Sequence, residues 1–118
     1  MHRLPTFLAA LTLAASALGT PAMAEMITKT SPHSVSQTMD RLQAAVEGAG
    51  ATLFARVDHA AGAAGVDMDL RPTELMIFGN PKLGTPPMKT NQTAGLDLPL
   101  RVLAYEDAEG VVHVTYRD

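Results

Sequence analysis

The chain has 118 residues, with twelve acidic side chains, nine basic ones and no cysteine. The absence of cysteine excludes thiol catalysis, thiolate metal sites and disulfide exchange. Nucleic-acid binding needs lysine and arginine clustered on one face, whereas the basic residues here are spread singly along an acidic chain, so no nucleic-acid partner is expected.

Residues 1–24 are predicted to be a signal peptide that is cleaved after Ala24. A positively charged start is followed by an apolar run over residues 7–15, and residues 22–24 form the small-x-small pattern of a cleavage site. The apolar run is too short to cross a bilayer, which needs about 20 residues. An uncleaved membrane anchor is the alternative, and the cleavage pattern argues against it. We therefore expect a periplasmic protein that begins at Glu25, with no stable membrane span and with eight basic against twelve acidic residues, a net charge of −4.

Residues 25–118 predict a single domain whose first half holds one long helix. Residues 26–31 are typical of a strand, because a short apolar and threonine-rich run ends at a proline. Ser34, with Gln37 three positions later, is a capping-box start for the helix. Apolar residues then recur every three or four positions, and two glycines end the helix. These residues are Val35, Met39, Leu42, Val46, Gly48 and Gly50.

Alternation over residues 52–57 predicts a second strand, with Leu53, Ala55 and Val57 on one face. Asp58 is placed to cap a short helix over residues 59–64. A loop should lead from there to a third strand at residues 73–78. Because residues 75–78 are apolar throughout, this strand is expected to be buried on both faces near the middle of the sheet.

Residues 79–99 are dense in glycine and proline, and Thr85 is expected to cap a short helix with Pro86 at its first position. Strands at residues 100–105 and 111–116 should form a hairpin whose loop ends at Gly110. The order of elements predicts an α+β fold. We expect a roughly five-stranded, mostly antiparallel or mixed sheet with one long helix and short helices packed on it.

Six short motifs stand in a fixed order at residues 34–35, 54–61, 70–73, 77–82, 84–86 and 94–100. In these motifs the chain resembles the family called domain of unknown function 302. The resemblance covers nearly all of the mature chain. It implies a compact α+β domain that associates as a homodimer in bacteria and archaea. It implies no activity, because none is established for the family.

Two stretches carry the residues that could contact a ligand. The segment from Gly79 to Thr85 places turn-forming and polar residues directly after an apolar strand, although shaping a tight connection would explain the same composition. Asp58 and His59 form the second stretch, where a histidine can bind metal or move protons beside a carboxylate. The alternative is that Asp58 caps a helix and His59 makes a structural hydrogen bond. We predict a ligand site between the two stretches, formed by Asp58, His59, Gly79, Asn80, Pro81, Lys82, Gly84 and Thr85.

The leading hypothesis is an exported, homodimeric, non-enzymatic domain that binds a small ligand or a periplasmic protein partner. The first alternative is a metal-dependent or redox accessory protein, or an enzyme, that uses His59 with Asp58. The second is a structural module whose dimer face is its product. The histidines lack the spacing of a metal site, so no metal ligand, catalytic residue or cofactor is assigned.

Overall fold

The computed structural model describes residues 25–117, which form a five-stranded antiparallel sheet and several helices. The predicted signal peptide lies outside the described residues. The strands are β1 (Met26–Ser31), β2 (Thr52–Asp58), β3 (Thr73–Gly79), β4 (Leu100–Glu106) and β5 (Val112–Arg117). The helices are α1 (Val35–Gly48), α2 (His59–Ala64), α3 (Pro81–Thr90) and a 3₁₀ helix, η1 (Gln92–Asp97). The predicted α+β class and single small domain are confirmed.

The strands lie in the order β1-β5-β4-β3-β2, and every neighbouring pair is antiparallel. The hairpin of β4 and β5 forms as predicted, with Gly110 at a φ of +83° in its loop, a conformation that favours glycine. Strand β1 forms one edge and pairs only with β5, so Met26 lies opposite Arg117. The first and last strands are therefore neighbours in the sheet, and the two ends of the domain lie side by side.

Helix α1 covers one face of the sheet and supplies two of the five residues of the buried core cluster. The Ser34 hydroxyl accepts a 3.1 Å hydrogen bond from the Gln37 amide, which is the predicted cap. Val35 and Met39 then pack against the sheet, where the side chains of Met76 and Ala104 are also fully buried. All fully buried strand residues lie on this face, because side chains on alternate positions point to opposite sides.

The opposite face, called here the open face, is not packed in the same way. Side chains on β3 and β4 that point away from α1, such as Leu75, Ile77 and Leu103, are only half-buried. The expectation that β3 is buried on both faces therefore holds for one face only, and the central strand is β4. The open face includes Met26, Thr28, Thr30, Ala55, Val57, Thr73, Leu75, Ile77, Arg101, Leu103, Tyr105, His113, Thr115 and Arg117.

A bulge in β2 overturns the predicted alternation of that strand. Leu53 lies opposite Phe78, but Ala55 already lies opposite Ile77, so Phe54 is an extra residue without a partner. Leu53 consequently faces α1 while Ala55 and Val57 face away from it. The prediction that these three share one face is wrong, because one inserted residue reverses every side chain that follows.

The bulge also turns Arg56 toward α1, where it joins three elements. Its Nε donates to Glu74 at 2.6 Å, and its Nη1 donates to Asp40 at 2.7 Å and to Gln43 at 3.1 Å. The hydrogen bonds to Glu74 and Asp40 raise the pKa of the Arg56 guanidinium above its usual value. Arg56 therefore ties the edge strand β2 to both β3 and the long helix.

Candidate functional site

The segment after β3 is organised by Asn80, which caps helix α3. Its side-chain oxygen accepts a 3.0 Å hydrogen bond from the Lys82 amide, and its carbonyl accepts from the amides of Leu83 and Gly84 at 2.9 Å each. Pro81 occupies the first helical position, where a missing N–H costs nothing. These contacts hold the start of α3 against the end of β3.

The predicted cap at Thr85 is wrong, because α3 begins four residues earlier and Thr85 lies inside it. Pro86 and Pro87 also lie inside the helix and supply no amide donors to the preceding turn. The carbonyls that lose these partners belong to Lys82 and Leu83, which are exposed, so water can reach them. Helix α3 can therefore contain two prolines, because Asn80 caps its start and the carbonyls that lose their donors are exposed to water.

An open groove of about 580 Å³ lies where β3 ends, between that strand, α3 and η1. Its walls are mainly apolar, and several of them are exposed to solvent: Leu83 is 76% exposed, and Phe54 and Leu100 are each 54% exposed. Ligand-binding sites are typically concave and apolar with a few polar groups, and their volumes run from about 300 to 1,000 Å³. The groove has the size and lining of such a site.

The groove gathers most of the residues predicted from the glycine and proline segment. Gly79, Asn80, Pro81, Gly84 and Thr85 all line it, whereas the exposed Lys82 does not. The polar groups at its wall are therefore the Asn80 amide, which is engaged in capping, and the Thr85 hydroxyl. No hydrogen bond within residues 25–117 engages the Thr85 hydroxyl, so it remains available to a ligand.

Two glycines allow the groove walls to approach each other closely. A Cβ on Gly79 would lie 3.3 Å from the Pro99 Cβ and 3.5 Å from the Phe54 ring. A Cβ on Gly95 would lie 3.1 Å from the sulfur of Met88. Side chains at these two positions would push the walls apart. Glycine is therefore needed there for space, and not for its backbone conformation.

Asp58 and His59 lie at the other end of the sheet and do not share this site. In β2, Thr52 pairs with Gly79 while Asp58 pairs with Glu74, so six residues of strand separate the two stretches. At about 3.3 Å per residue, the separation is about 20 Å. The predicted site between the two stretches is therefore not formed, because both stretches adjoin the same strand pair at opposite ends.

At its own end of the sheet, Asp58 acts as a helix cap. Its carboxylate accepts a 2.9 Å hydrogen bond from the Ala61 amide and begins α2 as predicted. His59 is exposed, and no hydrogen bond in the described part of the chain involves its ring. Residues 25–117 also contain no group of three or more histidine, cysteine, aspartate or glutamate side chains arranged to hold a metal ion.

The sequence reasoning missed a polar cluster formed by Tyr105, Asp107 and His113. The His113 Nε2 lies 2.7 Å from Asp107 Oδ2, and the His113 ring stacks on Tyr105 with centroids 5.1 Å apart. Asp107 Oδ1 also accepts hydrogen bonds from the amides of Glu109 and Val111, both at 2.9 Å. The hydrogen bond to His113, followed by that from Val111, lowers the pKa of the Asp107 carboxyl.

The signal for this cluster was present in the hairpin itself. Antiparallel pairing places Tyr105 directly opposite His113, and Asp107 begins the turn between their strands. The spacing of histidines along the chain does not reveal a histidine and a carboxylate that meet across a hairpin, as His113 and Asp107 do. The cluster fastens the hairpin loop to the open face.

The fold and the groove define a two-layer α+β domain with one covered sheet face and an apolar cleft at one sheet end. Within residues 25–117, no helix combines the length and the apolar character needed to cross a membrane. The chain matches the family described as "Domain of unknown function DUF302" over residues 27–118, and it belongs to that family.

A crystal structure of an uncharacterized conserved DUF302 protein from Bacillus stearothermophilus has a similar fold. Its TM-score is 0.72 at 18% sequence identity, and the match covers 80% of this chain and 73% of the other. At this identity the likeness concerns the fold alone.

Curated relatives in Brucella are more similar in sequence. The chain is 48% identical over 93 residues to proteins named "Fluoride-specific ion channel FluC 1" from Brucella suis and "Fluoride-specific ion channel FluC 2" from Brucella melitensis. The match covers 79% of this chain but only 37% and 34% of those two proteins. The chain therefore spans about a third of the length of these relatives.

Proposed function

We propose that this protein is an exported, homodimeric, non-enzymatic binding domain that holds a small, largely apolar ligand in the groove between β3, α3 and η1. The observation that carries the proposal is the groove itself. It combines exposed apolar side chains with one free hydroxyl at Thr85.

The exposed apolar area sets the scale of affinity. Fully burying a leucine or phenylalanine side chain gains about 2 kcal/mol, and between half and three quarters of Leu83, Phe54 and Leu100 is exposed. Covering the three would gain about 4 kcal/mol, which the loss of translational and rotational freedom on association offsets in part. Apolar contact alone therefore gives weak binding, and a hydrogen bond to Thr85 would strengthen it, so the expected ligand is an apolar molecule with one polar end.

The test uses 8-anilinonaphthalene-1-sulfonate, an apolar fluorescent probe with one charged group, on protein made from the full-length reading frame. Leu83→Gln removes an apolar wall of the groove, and Leu96→Gln is the matched control because Leu96 is 87% exposed and does not line it. We expect Leu83→Gln to weaken probe binding about fivefold or more while Leu96→Gln leaves it unchanged. Equal binding by all three proteins would refute the groove as the site.

Export is supported by the charged start, the apolar run and the cleavage pattern of residues 1–24. Amino-terminal sequencing of the protein recovered from the periplasm should begin at Glu25. Ala24→Arg should leave the segment attached by spoiling the cleavage pattern. An unprocessed wild-type chain would contradict this part of the proposal.

The homodimer is supported by the half-buried apolar side chains of the open face, which α1 does not cover. A domain of about 93 residues hides only about two thirds of its surface on folding, so a second copy adds needed burial. Native mass spectrometry and sedimentation at micromolar concentration should give a dimer. A monomer at those concentrations would refute this part.

A second candidate function, contact with a membrane ion channel, is favoured by the 48% identity to part of proteins named as fluoride-specific ion channels. In those relatives the matching region is part of a longer chain, of which it makes up about a third. A strain lacking this gene should then grow poorly in fluoride and recover when the gene is restored. Equal growth of the deleted and restored strains would refute this candidate.

A further inference from the structure

The open face is divided into an apolar half and a threonine-rich half. On β2, β3 and β4 it presents aliphatic side chains, including Val57, Leu75 and Leu103. On β5 and β1 it presents three threonines beside Met26, His113 and Arg117, and the hydroxyls of Thr28 and Thr115 lie 2.9 Å apart. A partner that fits this face must therefore match an apolar strip beside a polar one.

Charge is also distributed unevenly, along the strands rather than across them. Arg101 and Arg117 both lie on the open face at the end of the sheet where β5 finishes. At the other end, the hairpin loop carries Asp107 and Glu109, and the segment after α2 carries two more acids, Asp67 and Asp69, with Arg71 offsetting one charge. One end therefore carries two arginines on this face, and the loops at the other end are acidic.

We propose that a second copy of this chain stacks on the open face about a two-fold axis that lies between the sheets and runs across the strands. This inference rests on the homodimer proposed above and names its interface. This axis places each strand over the same strand of the second copy, running in the opposite direction. The apolar half of one subunit therefore meets the apolar half of the other, and the basic end of one meets the acidic end of the other. Face-to-face sheets pack about 10 Å apart with their strands rotated by about 30°.

The alternative two-fold axis, running along the strands, gives a poorer match. It would place the aliphatic side of β3 over the threonines of β5, and it would bring Arg101 and Arg117 toward their own counterparts. Like charges facing each other across an interface are unfavourable. Both the apolar pattern and the charge pattern therefore select the same axis.

The chosen axis makes specific contacts. With the axis near the middle of β4, Leu103 and Leu75 meet their own counterparts, as an isologous interface requires. Arg101 lies two residues before Leu103, and Tyr105 lies two residues after it. The Arg101 guanidinium therefore approaches Tyr105 of the partner subunit, whose ring stacks on His113 on one side and can receive a cation on the other. The acidic hairpin loop beside that ring also attracts a cation.

Cross-linking tests the face without background, because the chain has no cysteine. Leu103→Cys, treated with a short bis-maleimide whose reach matches the spacing between sheets, should give a covalent dimer as the main product. Ala44→Cys, exposed on α1 on the far side of the sheet, is the control and should give little. Equal cross-linking of both variants, or none at position 103, would overturn the proposed face.

Charge reversal tests the axis. Arg101→Glu should raise the dimer dissociation constant about tenfold or more in sedimentation. Lys89→Glu is the control, a charge reversal at an exposed α3 position outside the strands that form the open face, and it should alter the constant less than twofold. Equal effects of the two substitutions on the dissociation constant would refute the two-fold axis that runs across the strands. A wild-type monomer would refute the homodimer itself, whereas a wild-type dimer that fails the cross-linking test would refute only the interface.

Discussion

Replacing Arg56 with methionine should destabilise the domain by about 2 to 3 kcal/mol. The side chain of Glu74 is only 12% exposed and its bond to Arg56 is 2.6 Å, so the substitution leaves a carboxylate with little access to water. Losing one partner of a fully buried ion pair costs about 3 to 5 kcal/mol, and the 23% exposure of Arg56 reduces that figure. Asp40 is 65% exposed, so its own pair adds no more than about 0.5 kcal/mol.

Thermal unfolding followed by circular dichroism measures this change. For a domain of this size, 1 kcal/mol shifts the midpoint by about 4 to 8 °C, so Arg56→Met should lower it by about 10 to 20 °C. Protein concentration must be held fixed, because a dimer gains stability with concentration. Arg41→Met is the control, since Arg41 is an exposed arginine on α1, and it should change stability by less than about 0.5 kcal/mol.

A double substitution separates a lost bond from a stranded charge. If the cost comes from the unpaired Glu74, then Arg56→Met combined with Glu74→Gln should be more stable than Arg56→Met alone by about 1 kcal/mol or more. The reasoning is wrong if Arg56→Met destabilises the domain no more than Arg41→Met does. It is also wrong if Glu74→Gln lowers the stability of the Arg56→Met protein further.

Three further predictions concern the core, the cap and the hairpin. Met76→Ala should cost about 2 to 5 kcal/mol in thermal unfolding, because the Met76 side chain is fully buried; Leu96→Ala should cost almost nothing. Asn80→Ala should cost about 1 kcal/mol in urea unfolding by removing the cap of α3, and Asn80→Ser should restore most of it. The lowered pKa of Asp107 gives stability that is present above its unfolded pKa of about 3.9 and is lost as pH falls through the folded value. Midpoints measured from pH 2 to 6 should therefore fall less steeply in Asp107→Asn than in the wild-type protein.

Elements with local signals were predictable from the sequence. The capping box at Ser34 and the apolar spacing of α1 need only residues a few positions apart, and the hairpin near Gly110 is equally local. Helix α3 was misplaced because asparagine suits a turn as well as a cap, and because a proline pair suggests a helix start. The bulge at Phe54 left no pattern to detect, since the strand still alternates in sequence.

The residues that line the groove were predictable only where they are contiguous in sequence. Residues 79–85 line the groove together except for Lys82, and Leu83, which also lines it, was not predicted. Asp58 was predicted to lie near this segment, but the structure places it at the other end of β2, because the first residue of β2 pairs with Gly79. Strand register is a long-range property that the local sequence does not reveal. The same limit hid the contact between Asp107 and His113, which forms across a hairpin.

The pairing of β1 with β5 places positions 26 and 117 on neighbouring strands, about 5 Å apart. A polypeptide that enters this domain therefore leaves it at almost the same point in space. A host protein can accommodate such a unit within a single surface loop, with two short connections and no rearrangement of its own fold. For the same reason, a circular permutant that links residue 117 to residue 26 and opens the hairpin at Gly110 should keep the architecture. This geometry suits a unit that occurs within much longer relatives.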